Sequence, residues 1–134
     1  MRTFLGFVIA VCLVVSAFAQ GGPTPAGETA SQFYLRYRAA VPAATTLQQI
    51  VEFWSADQRQ DFAAAPAADR SDLAFVKSMS ERVSNVKVVK ESATPNTAAL
   101  DVEAVMATKP VKTTVHLVRE KEVWKIASGP EAWE

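Results

Sequence analysis

His116 is the only histidine in the 134-residue chain, and so the one side chain whose ordinary titration falls near neutral pH. It stands between Val115 and Leu117 but on the opposite side of their alternation, the side shared by Lys112 and Glu120. That placement reads as a solvated strand histidine, with Asp101 or Glu103 within reach across a sheet. One histidine and one cysteine leave no His-x-x-x-His or paired-cysteine spacing, so no metal is expected. A nucleophile elbow of the Gly-x-Ser-x-Gly kind is absent, and the five glycines form no phosphate-cradling loop, so no cofactor is expected either. The remaining side chains with chemistry to offer are aromatic. Tyr34, Tyr37, Trp54 and Trp124 each combine a ring that stacks with a polar tip that hydrogen-bonds, the pair of properties a ligand site uses. Helical spacing with Phe33, Ile50 and Val51 makes Tyr34, Tyr37 and Trp54 core residues first.

The elements that must position these groups follow from periodicity. Between Glu28 and Val41, Ala30, Phe33, Tyr34, Tyr37 and Val41 recur on one helical face, with Arg36 and Arg38 directed elsewhere and Pro42 at the end. Thr45 or Thr46 can cap a second helix, in which Leu47, Ile50, Val51 and Trp54 form a stripe. Ser55 to Gln58 matches a capping box that opens a short third helix over Arg59 to Ala64. A further stripe of Leu73, Phe75, Val76 and Met79 predicts a helix over Ala67 to Glu81, with Asp69 and Asp72 in its first turn.

The second half alternates with period two, the mark of half-buried strands. Val83–Ser92, Thr97–Ala107, a strand from Val111 to Glu120 and Val123–Ser128 form four of them, separated by a Pro/Asn cluster, by Thr108-Lys109-Pro110 and by a short charged link. The fold class is therefore α+β: N-terminal helices packed on the concave face of a curved four-stranded antiparallel sheet.

The chain opens with one positive charge at Arg2, an apolar run from Phe4 to Val15 and the small-x-small triplet Ala17-Phe18-Ala19. This is the pattern of a secretory signal peptide over residues 1–19, and the run is shorter than the roughly 20 residues a membrane span needs. Export to the periplasm or secretion is expected, with no membrane attachment after leader cleavage. Cys12 lies in that leader, so no disulfide is expected and the core alone must hold the fold. Residues 20–27 (QGGPTPAG) read as a flexible tether, and 28–134 as a single domain. The charges balance at 14 basic and 14 acidic residues, which gives no footprint for nucleic acid.

With an exported leader, FYLRY in the first helix, the Thr-capped TLQQIVEFWS segment and a closing HLVREKEVWKIASGPEAW, the chain resembles the nuclear transport factor two and SnoaL-like superfamily of cystatin-like cone folds. It departs from that pattern in carrying Glu120-Lys121-Glu122 where a glycine usually helps the last hairpin turn. The resemblance implies helices wrapped into a bent sheet, with a pocket at the open end that serves enzymes, ligand binders and protein-binding modules alike. On that frame Tyr34, Tyr37, Trp54 and Trp124 would line the pocket. The expected function is non-catalytic binding of a small apolar ligand or an envelope protein partner, with a homodimer through the sheet face as a further expectation. The enzymatic alternative is isomerase-like and asks Asp57 or Asp61, with Tyr34 or Tyr37, to handle a proton. Trp133, in the closing PEAWE, is expected to pack back on its own domain.

Overall fold

The computed structural model describes residues 27–129 and 131–134, so the leader, Cys12 and all of the tether except Gly27 lie outside the described residues. Four α-helices precede four strands: α1 Ala30–Ala43, α2 Leu47–Val51, α3 Ala56–Ala64, α4 Leu73–Glu81, β1 Val83–Ala93, β2 Thr97–Met106, β3 Lys109–Glu120 and β4 Val123–Ile126. The strands form an antiparallel meander in the order β1-β2-β3-β4. The architecture is the α+β, cone-like arrangement expected from the helix and strand periods.

Three of the helices, α1, α3 and α4, begin at a residue whose side chain accepts a backbone hydrogen bond. Thr29 caps α1, with its hydroxyl accepting from Gln32 N while the Gln32 side chain accepts from Thr29 N, so two otherwise orphaned amides are satisfied. Ser55 Oγ accepts from Gln58 N at 3.3 Å to start α3. The return half of that capping box is absent, because Ser55 N donates to Ile126 O, while Gln58 Nε2 donates to Ala127 O at 3.0 Å and ties α3 to the end of β4. The fourth helix is shorter than its sequence stripe predicts. Its cap is Asp72, whose carboxylate accepts from Phe75 N, and a separate 3₁₀ turn takes up Ala67–Asp69.

The apolar face of α1 packs as its spacing predicts, burying Ala30, Phe33, Tyr34 and Val41, and the helix runs one residue past Pro42. The stripe of the second helix is cut short. After Val51 the chain tightens into a turn, with Phe53 N donating to Ile50 O and Trp54 N to Val51 O; Ile126 N then donates to Phe53 O and Ser55 N to Ile126 O, both at 2.8 Å, and Trp54 becomes a bridge residue beside β4. The sheet's edge had unpaired backbone groups there, and satisfying them outweighed another helical turn.

The main core joins Phe33, Tyr34 and Phe53 to Leu100, Val102, Val115, Leu117, Trp124 and Ile126, one face of β2, β3 and β4. A smaller cluster of Val41, Ala44 and Ile50 sits where α1 meets α2. Register shifts between Ser84 and Lys87 and between Val88 and Lys90 mark bulges in β1, the device by which a strand bends.

Both later hairpins close on two residues in the left-handed region, Ala107 and Thr108 (φ 46° and 71°) and Lys121 and Glu122 (φ 49° and 66°). These are primed turns without the usual Asn-Gly pair. The β3–β4 register is fixed, with Glu120 opposite Val123 and Leu117 opposite Ile126. The third strand starts earlier than predicted: Pro110 pairs with Val105 rather than lying in a linker. Alternation puts its missing N–H on the same side as that of Lys112, which points away from β2 to Glu134, so proline costs no β2–β3 ladder bond.

Candidate functional site

The fourth helix carries an apolar stripe, yet none of its residues is buried, and Phe75 is 52% exposed. It packs on α1, with Leu73 and Val76 against the Val41–Ala44–Ile50 cluster. Between α1, α3, α4, the ends of β3 and β4, and the 131–134 segment lies a cavity of about 330 Å³. That is the lower end of the roughly 300–1,000 Å³ range of small-molecule sites.

Its walls are mostly apolar. Tyr34, Tyr37 and Val41 come from α1, Trp54 and Phe62 from the turn into α3 and α3 itself, and Phe75, Val76 and Met79 from α4. Val115 and Ile126 contribute from the sheet and Trp133 from the final segment. Trp54 and Phe62 meet edge to face, with ring centroids 5.5 Å apart. Trp54 Nε1 donates to the Tyr37 hydroxyl at 3.4 Å.

One polar cluster crosses the cavity wall. Tyr34 donates its hydroxyl hydrogen to Glu131 Oε1 at 2.8 Å, and Arg38 donates from Nη1 to Glu131 Oε2 at 2.9 Å and from Nη2 to Ser80 O at 3.1 Å. The Arg38 and Glu131 side chains are 13% and 18% exposed, so each charge needs the other. The cluster ties α1 to the end of α4 and to the final segment, which is held on its far side by two 3.0 Å backbone bonds between Lys112 and Glu134. Burial, followed by the Glu131 carboxylate, pushes the Tyr34 phenol well above its ordinary ionisation range. Burial also raises Tyr37, partly opposed by the bond from Trp54. Both tyrosines are therefore neutral donors at any physiological pH.

Of the four aromatics singled out by sequence, Tyr34, Tyr37 and Trp54 line this cavity together and Trp124 does not. Trp124 is 3% exposed in the main core, under the Arg119 guanidinium at 4.3 Å, and its Nε1 has no hydrogen-bond partner. Strand alternation put Trp124 on the inner face correctly, but that face is filled by Phe33 and Phe53 at that point. Asp61 lines the cavity and Asp57 does not, being an exposed first-turn residue of α3. His116 is exposed on the outer face of the sheet, opposite Ala99, while Asp101 accepts from Thr114 at 3.3 Å. The expected pairing of His116 with an acid across the sheet is thus replaced by the register. Among the described residues no cluster of three metal-ligating side chains occurs.

Sequence reasoning missed Arg38, Glu131, Phe62 and Ser80. The periodicity of α1 turns Arg38 off its apolar face, and nothing local signals a partner 93 residues away. Compared with protein-family models, the curated proteins and the solved structures, the chain matches none.

Proposed function

We propose that this is an exported, non-catalytic binding domain that takes a small apolar molecule into the cavity between α1, α3 and α4, on a frame of the nuclear transport factor two and SnoaL-like kind. The observation that carries the reading is the cavity's lining: an aromatic and aliphatic wall, made in part by a helix whose apolar stripe packs on the Val41–Ala44–Ile50 cluster through Leu73 and Val76 yet is nowhere fully buried. The leader pattern of Arg2, Phe4 to Val15 and Ala17-Phe18-Ala19 supports export. The test is uptake of the neutral fluorophore N-phenyl-1-naphthylamine by the purified domain. One saturable site per chain, lost when Met79→Trp fills the cavity, supports the reading; no uptake, or uptake indifferent to Met79→Trp, overturns it.

A second reading keeps the cavity and makes it reactive, and the presence of Asp61 in the same lining as Tyr34 and Tyr37 favours it. The Tyr34 hydrogen is committed to Glu131, so Tyr37 would have to be the donor to a developing oxyanion. Turnover of any carbonyl substrate that survives Asp61→Asn and Tyr37→Phe would exclude these residues from it.

A further inference from the structure

We infer that the cavity selects hydrophobic cations, amines or quaternary ammonium groups on an apolar body, over neutral or anionic molecules of the same shape. This rests on the cavity being a ligand site, as proposed above. Among the residues lining it the formal charges are those of Arg38, Asp61 and Glu131, two negative against one positive. The positive one is spent: the Arg38 guanidinium is held by Glu131 at 2.9 Å and by Ser80 O at 3.1 Å. Asp61 makes no ion pair among the described residues. The uncompensated charge in the lining is therefore the exposed Asp61 carboxylate, and the same lining holds the rings of Trp54, Phe62 and Phe75.

Ring faces carry negative potential and attract an ammonium within about 6 Å of the centroid, at least cost when the ammonium has few hydrogens to desolvate. Phe62 neighbours Asp61 in sequence, and Trp54 packs edge-on against Phe62. An aromatic corner with a free carboxylate at its margin is complementary to an alkylated nitrogen, whereas an anion would meet Asp61 with no free cation to receive it. The apolar wall of Val76 and Met79 then takes the hydrocarbon body.

The experiment measures displacement of N-phenyl-1-naphthylamine from the whole domain by three probes: 4-phenylbutyl-trimethylammonium, its uncharged tert-butyl isostere and 5-phenylpentanoate. The ammonium is expected to bind most tightly and the carboxylate least. Asp61→Asn is expected to weaken the ammonium about threefold to tenfold, leave the isostere unchanged and abolish the salt dependence of ammonium binding. Equal displacement by ammonium and carboxylate, or an Asp61→Asn variant with undiminished ammonium affinity, overturns the cation inference while the cavity reading stands. Failure of the fluorophore itself to bind overturns both. Asp61 is exposed, so the variant keeps its fold, and an unchanged isostere affinity certifies that it has.

Discussion

In the Arg38–Glu131–Tyr34 cluster two charges lie largely out of water and are satisfied only by one another and two neutral groups. Removing one member strands the rest. Arg38→Met leaves the Glu131 carboxylate with only the Tyr34 hydroxyl, and a loss of about 2 kcal/mol is expected in urea unfolding. Tyr34→Phe keeps the ion pair and should cost about 1 kcal/mol. The tyrosines also predict a pH response. Their folded-state ionisation lies above the unfolded value, so the stability they contribute is complete below about pH 10 and falls as pH rises beyond it, when only the unfolded chain loses the proton. Lys125 acts in the opposite sense and at lower pH: burial and then Arg59 hold its ammonium below the ordinary value of 10.5, so its contribution rises with pH up to that value. The clean observable is therefore phenolate absorbance: the chain's two tyrosines should ionise only as the domain unfolds. A normal titration near pH 10 with the fold intact would contradict their burial.

At the scale of elements, the hairpin turns show local preference overridden by the sheet. Thr108 is β-branched and sits at φ 71°, a conformation that costs an L-residue roughly 1–2 kcal/mol. It is tolerated because the β2–β3 ladder runs unbroken from Thr97 paired with Val118 to Met106 paired with Lys109. Thr108→Gly and Glu122→Gly should each stabilise the domain by about 0.5–1 kcal/mol, after the entropy glycine adds to the unfolded chain, and raise Tm by a few degrees. A fall in Tm would mean the turns are not of the primed kind.

The same comparison shows which elements were legible in the sequence. The period-two strands and the apolar face of α1 were readable, since burial on one face imposes a pattern that neighbours cannot hide. The end of α2 was not. Leu47, Ile50, Val51 and Trp54 continue a perfect helical stripe, and only the unpaired edge at Ile126 draws Phe53 and Ser55 out of it. Three of the four aromatic candidates reach one cavity because α1 and the segment after α2 converge there. Glu131, Arg38 and Ser80 were invisible as site residues because their roles come from contacts across the whole chain.

For the molecule as a whole, the helical layer is uneven. The first helix is sealed against the sheet by Phe33 and Tyr34, while α4 leaves its stripe half open, and the cavity occupies the difference. Such a layer is stable without a ligand if the cavity fills with water and is more stable with one, since anything that binds only the folded state adds RT ln(1 + [L]/Kd). The most direct measurement is native mass spectrometry of the protein purified from its own cells. The account predicts a one-to-one non-covalent adduct with an apolar molecule, absent from the Met79→Trp variant. A clean unliganded mass in the wild type, joined by no uptake of N-phenyl-1-naphthylamine, would contradict it.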